Sequence, residues 1–138
     1  MGGKPTDPNE TVAHILLGEA AGEGAAGLMA VRDTMVNRMR AKKGATLHQI
    51  ATAPKQFSAA TRPDLTQFAS RQPIIFQNLA RELVTEASHP DFQPQHPYRH
   101  YVAQELWDRR DTLPKTHWLH KMQVKQRVGH HVFLEEAQ

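Results

Sequence analysis

Apolar residues return at helical spacing between Gly24 and Lys42: Leu28, Val31, Met35 and Met39 recur every three or four positions. Ala26 and Ala30 leave room for a close neighbour. Arg32, Asp33, Arg38 and Arg40 occupy the other face, and Lys-Lys-Gly ends the pattern with Gly44 past the last turn. The spacing predicts a long helix over roughly 24–42. Val12, Ile15 and Leu16 predict a helix before it, capped by Asn9 or Asp7, with Pro8 suited to its start and Gly18 and Gly22 weakening and then ending it. Residues 1–8 read as a flexible lead-in. Thr46 caps a short helix over 46–52 that Pro54 stops, and residues 55–64 read as a loop. A third long helix runs from Ile74 to Ala87. The proline-rich stretch 89–97 is too irregular for helix or strand. Residues 98–110 fit another helix, while 115–134 stay ambiguous, with His131–Glu135 readable as a short strand. The pattern predicts a mainly α-helical single domain over 1–138, with loops that can line a cleft and room for a short β element.

The chain has 138 residues, enough for one domain with its own core. A net charge of +3 and a pI near 9.4 suit an anionic partner such as a cell envelope, nucleic acid or polyanionic glycan, without choosing among them. There is no cysteine, which excludes disulfides, thiolate metal sites and thiol nucleophiles. The opening residues MGGKPTDPNE lack the apolar core of a signal peptide, and no later run is long enough to span a membrane. The expectation is a protein made in the cytoplasm without a signal peptide and not inserted in a membrane; action outside would need release by something else.

The stretch LLGEAAGEG places Glu19 and Glu23 four residues apart with no lysine or arginine nearby. One continuous helix would set two like charges on one face, which is unfavourable. With a break at Gly22, Glu19 falls in the last turn of the first helix and Glu23 at the entry to the second. The helix dipoles then push the two carboxyls apart: Glu19 should hold its proton more tightly and Glu23 should stay ionised. That is the pattern of an acid and its supporting anion. By pattern alone the simpler reading, two solvated helix-end acids, has the advantage, because most surface glutamates do no chemistry.

The stretch from Leu16 to Met39 resembles the signature of the SleB-type cell wall hydrolases. It carries Gly18-Glu19-Ala20, Gly22-Glu23 and Asn37-Arg38. Downstream, Lys55-Gln56-Phe57-Ser58 resembles the family's Gln-Phe-Ser loop, His100 to Ala103 its Gly-Ala-Thr-His-Tyr region, and Gly129 to Phe133 its closing Gly-Asn-His-x-Phe. The matches keep the family's order and span Val12 to Phe133. Pro97-Tyr98-Arg99 replaces Gly-Ala-Thr, so the cleft wall near His100 is expected to differ.

The resemblance implies a lysozyme-like helical fold and cleavage of the peptidoglycan bond between N-acetylmuramic acid and N-acetylglucosamine. It implies Glu19 as the general acid/base, with Glu23, Gln56, Phe57, Ser58, His100 and Tyr101 toward the substrate. Many members are lytic transglycosylases, which close an anhydro ring with one carboxylate and no water. A hydrolytic muramidase remains the alternative. The family's usual signal peptide and wall-binding module are not found in the sequence, which suggests a phage endolysin released by a holin, or a virion-borne lysin. Expected partners are peptidoglycan glycan strands; no nucleic acid, no cofactor and a monomer are expected.

Other residues are read beside their simpler roles. Gln56 and Ser58 suit hydrogen bonds to a sugar, or simply a turn. Tyr101 suits the cleft or the core equally. Asn37 can hold the glutamate loop, while Arg38 reads as a surface group. Of nine histidines, His96/His100 and His117/His120 have ligand-like spacing, but no acidic partner completes a known pattern, so no metal is expected. His131 reads as a packed family residue. The basic segment 115–131, interleaved with Trp118, Leu119, Met122 and Val124, reads as a solvated face over the core, with weak contact to an anionic envelope as its functional alternative. A non-catalytic basic module that binds glycan or nucleic acid is the rival function; it leaves Glu19 and the ordered motifs unexplained.

Overall fold

A computed structural model describes residues 7–137. Most of the lead-in read over residues 1–8 lies outside the described residues; Pro8 itself is helical. The first helix, α1, spans Pro8–Ala20, with Asp7 as N-cap accepting from the Asn9 N–H at 2.9 Å and Pro8 at the first helical position. Val12, Ala13, Ile15, Leu16, Leu17 and Ala20 are all buried. A helix apolar on nearly every side belongs in the middle of a fold. Accordingly, α1 packs against α2 (Gly24–Ala41), α3 (Leu47–Thr52), α4 (Leu65–Arg71) and α5 (Ile74–Ala87).

The expected break after α1 is a single 3-10 turn, Ala21–Glu23. Helix α3 carries a full capping box between Thr46 and Gln49. The stretch 55–64 read as a loop contains a 3-10 turn, Ser58–Thr61, and leads into α4, which the sequence reading did not separate.

Helix α2 buries Leu28, Val31 and Met35, as its spacing predicts. Its charged face, however, buries Arg32 and Asp33 too, at 2% and 1% exposure. The cause is a polar clamp. Arg32 Nε donates to Asp33 Oδ1 at 2.8 Å, and its terminal nitrogen donates to Leu83 O and Glu86 Oε1, both at 3.0 Å. Its guanidinium lies 4.3 Å over the Phe92 ring, and Asp33 Oδ2 accepts from the Gln95 N–H at 3.0 Å. One turn on, Asn37 donates to His96 O at 2.7 Å and Tyr98 O at 3.0 Å. The irregular segment after α5 therefore lies along α2, its backbone groups satisfied by α2 side chains.

That segment delivers β1 (His100–Ala103), followed by the short α6 (Gln104–Asp108). The helix expected over 98–110 is thus corrected: its first part is strand. Tyr101 and Val102 favour strands, and β1 pairs with β3 (His131–Glu136), a partner some thirty residues on that local periodicity does not reveal. Strand β2 (Met122–Val128) completes an antiparallel sheet of order β1-β3-β2. Tyr101 stands opposite Phe133, and Ala103 opposite His131. Phe133 joins the helical core, while Val102, Leu119, Met122, Val132 and Leu134 form a second small core. Among the described residues, no helix is long and apolar enough to cross a membrane. The fold is mainly α with a short β element.

Removing Asp33 strips the buried Arg32 guanidinium of its closest counter-charge and frees the Gln95 N–H. Asp33→Ala should therefore destabilise the protein by about 3 kcal/mol in urea denaturation. A loss under about 1 kcal/mol would show that the clamp does not hold the segment.

Candidate active site

Glu19 sits in the last turn of α1, half-buried, and three donors converge on its carboxyl group. Ser58 Oγ donates to Oε2 at 3.1 Å and the Ala59 N–H donates to the same oxygen at 2.9 Å. The Tyr101 hydroxyl donates to Oε1. Two of the donors come from the 3-10 turn after Phe57 and the third from β1, so the carboxyl bridges loop and sheet. Gly18 makes this possible. A Cβ at Gly18 would stand 2.6 Å from the Ala59 Cβ, so only glycine lets the turn approach α1 closely enough to reach Glu19.

Tyr101 is held from several sides. Its ring centroid lies 4.8 Å from that of His131, 5.5 Å from Phe133 and 6.3 Å from Phe57. Burial, with the Glu19 charge beside it, pushes the Tyr101 hydroxyl well above its ordinary range, so it keeps its proton. Phe57 is 2% exposed, with the Arg38 guanidinium 4.6 Å over its ring. Its ring belongs to the core and supports the site from behind.

Glu23 is the N-cap residue of α2, but its side chain makes no cap hydrogen bond. It crosses instead to the β2–β3 turn, where Oε2 accepts from the His130 N–H at 2.7 Å. Gly27 and Gly129 leave the slot it occupies, since a Cβ at either would collide with it. Gly129 also has φ +57°, which the two-residue hairpin turn requires at its first position. The expectation that the α2 N-terminus receives this carboxylate is replaced by a tie to the sheet.

Strand alternation separates the two residues of the His-Tyr pair. Tyr101 faces Glu19; His100 lies against Trp118, ring centroids 5.4 Å apart, and lines a neighbouring cavity with Gln56. Gln56 Oε1 accepts from Arg38 at 3.1 Å. The structure thus gathers Glu19, Ser58 and Tyr101, sets Gln56 and His100 to one side, and puts Glu23 on the hairpin. Sequence reasoning missed the Ala59 N–H, a backbone group no residue type announces. It also missed Arg38 as a site neighbour; the guanidinium is held by Arg99 O, Gln56 and Phe57.

At least one member of each ligand-like histidine pair has a backbone partner. His96 Nε2–H donates to Ala30 O at 2.9 Å and its Nδ1 accepts from the Tyr98 N–H. His117 Nδ1 accepts from the Leu119 N–H. Among the described residues, no group of three or more histidine, aspartate and glutamate side chains gathers to hold a metal ion.

A family model described as Cell Wall Hydrolase matches residues 22–134 of the chain. The matched range takes in Glu23, Ser58, Tyr101 and His131 and begins just after Glu19. No curated protein and no solved structure matches the chain.

Burial lowers the pKa of His131, against the pull of Glu23 and Glu19, and lowers that of His100, with Arg38 and Arg99 adding to the effect. Both histidines are thus held neutral in the fold. Their contribution to stability is complete above their ordinary value of 6.5 and is lost as pH falls through the lower folded values. The melting temperature should drop on going from pH 7.5 to pH 5.5, and His131→Gln with His100→Gln should flatten that drop in thermal melts. An unchanged slope in the double variant would place the pH response elsewhere.

Proposed function

The chain belongs to the cell wall hydrolase family, whose enzymes degrade peptidoglycan, and from this premise we propose that it cleaves the glycan strand as a lytic transglycosylase with Glu19 as its single general acid/base. The observation that carries the reading is the convergence of Ser58, Ala59 and Tyr101 on one carboxyl group. Two donors fix Oε2, which leaves Oε1 to carry the mobile proton. A hydroxyl rotates, so Tyr101 donates to Oε1 when Glu19 is ionised and releases it when Glu19 is protonated, which leaves that proton to face the substrate. One geometry then serves both halves of the cycle.

In the first half, Glu19 protonates the oxygen bridging muramic acid and glucosamine, and the bond to the anomeric carbon breaks. The N-acetyl group of the muramic acid meets the positive charge that develops there. In the second half, Glu19 takes the proton of the sugar's own hydroxymethyl group, whose oxygen attacks the anomeric carbon and closes a 1,6-anhydro ring. No water is consumed. A two-carboxylate glycosidase needs a second acid across the sugar at a defined separation. Glu23, the nearest acid in sequence, is committed to the His130 N–H. The rival reading, a hydrolytic muramidase, uses the same Glu19 with water as the attacking group. We also propose that the enzyme acts as a phage-type endolysin on the wall after release, its charge of +3 favouring an anionic envelope.

Glu19→Gln keeps the hydrogen-bonding shape, since its carbonyl can face Ser58 and Ala59 while its amide faces Tyr101. The fold should survive and the lysis of purified peptidoglycan should fall by about two orders of magnitude or more. Glu23→Gln should lose less; the reverse ranking in two folded variants would exchange the roles. In heavy-oxygen water, mass spectrometry of the wild-type digest should show unlabelled 1,6-anhydromuropeptides, each one water lighter than a lysozyme product. Labelled reducing ends would establish the muramidase instead.

The proposed chemistry uses a carboxylate and the substrate's own groups. Turbidity clearance should therefore persist after exhaustive chelation. Activity lost to the chelator and restored by a stoichiometric divalent ion would overturn the single-carboxylate scheme.

A further inference from the structure

Beside Gln56 and His100 lies a cavity of about 330 Å³. Arg38, Lys42 and Arg99 stand around it with His100 and Gln56, and Ile50 with two alanines forms an apolar floor. Its lining has three cationic side chains and no acidic one. Among the described residues, none of the three cations takes part in an ion pair. Arg38 is held rigidly by Arg99 O, Gln56 Oε1 and the Phe57 ring, while Lys42 and Arg99 are exposed and free to close on a ligand. Burial lowers the His100 pKa, and Arg38 and Arg99 add to that effect.

The cavity adjoins the candidate active site. Arg38 lines it and also interacts electrostatically with Glu19 and Tyr101. A substituent of the sugar whose bond Glu19 would break can therefore carry an anion into it. In peptidoglycan that sugar is muramic acid, and its O3 bears a lactyl group extended by a short peptide with free carboxylates. Each extended peptide residue spans about 3.5 Å, so a stem of a few residues reaches across the cavity. Alanine methyl groups of such a stem suit the apolar floor.

We propose that this cavity is a stem-peptide subsite, in which Arg38, Lys42 and Arg99 bind a free carboxylate of the peptide on the muramic acid undergoing cleavage. The proposal rests on the glycosidase reading above. It makes the enzyme selective for peptide-bearing strands over naked glycan.

The test compares initial rates on two substrates: peptidoglycan freed of phosphate-bearing wall polymers, and the same glycan after an amidase has removed its stem peptides and the lactyl carboxylates so exposed have been converted to amides. Wild type should prefer the peptide-bearing strand by about tenfold, the effect of one charge-assisted contact. Lys42→Gln combined with Arg99→Gln should reduce the preference to within about twofold and leave the rate on naked glycan unchanged. Equal wild-type rates on the two substrates, or a preference that survives in the double variant, would overturn the proposal. A third substrate, peptide-free glycan that retains its phosphate polymers, separates the sources of negative charge; a variant-sensitive preference for it would refute the carboxylate assignment. Cleavage of none of these by folded wild type would refute the glycosidase reading instead. Chemical-shift titration with a synthetic stem tetrapeptide, as free acid and as amide, then decides the subsite alone: acid-selective binding lost in the double variant supports it, and equal or absent binding rejects it.

Discussion

A carboxyl group at the end of a helix buried along nearly its whole length has to be met by donors from outside that helix. Glu19 is in that position, and its donors arrive from two places far apart in sequence, the turn at Ser58–Ala59 and the strand at Tyr101. Everything that sets the turn and the strand in register is therefore a condition on the carboxyl. The turn comes close because Gly18 has no side chain to keep Ala59 away. The strand comes close because β1 pairs with β3 and Tyr101 stands opposite Phe133, which is anchored in the helical core.

Helix α2 measures the distance between these parts. Asp33 and Asn37 take up backbone groups of the segment from Gln95 to Tyr98, a chain without regular structure that would otherwise leave polar groups unsatisfied, and Arg32, paired with Asp33, lies over the Phe92 ring. A buried ion pair of this kind is weak support for stability as such, because desolvation offsets most of the Coulomb attraction. Its effect here is on placement. It fixes where an irregular segment lies, and the next residues of that segment are β1. The same helix then presents Arg38 to Arg99 O, immediately before Tyr101 and its neighbour His100. The Asn-Arg pair that ends the family signature is thus the end of a clamp running along one helix face.

How much of this was legible depends on the range of the interaction. Helical spacing in 24–41 and 74–87, the Asp7 and Thr46 caps, and the break between Glu19 and Glu23 are local, and the residues announce them. Strand β1 is four residues long and exists because β3 lies beside it, so 98–110 reads as helix when taken alone. The burial of Arg32 and Asp33 is invisible for the same reason: their partners lie more than fifty residues away, and charge on a helix face otherwise means solvent. In the candidate site, the motifs pointed to Glu19, Ser58 and Tyr101, but not to the Ala59 N–H, nor to the place of the Phe57 ring in the core. Motifs name residues without stating which way they face.

The direction of Glu23 shows what that difference means for mechanism. Read as the N-terminal residue of α2, its carboxylate would act on the helix. In the fold it passes between Gly27 and Gly129 and holds the His130 N–H. His130 begins the return into β3, whose first residue, His131, packs its ring against Tyr101. Tyr101 in turn reaches Glu19. Glu23 therefore has a mechanical route to the other glutamate through the hairpin and two aromatic rings, besides its electrostatic pull on His131. A chain of this kind transmits position: loosen the hairpin and the Tyr101 hydroxyl leaves the oxygen it serves. Two acids four residues apart can in this way share one site while facing different parts of it, Glu19 the turn and strand that carry its three donors, Glu23 the hairpin.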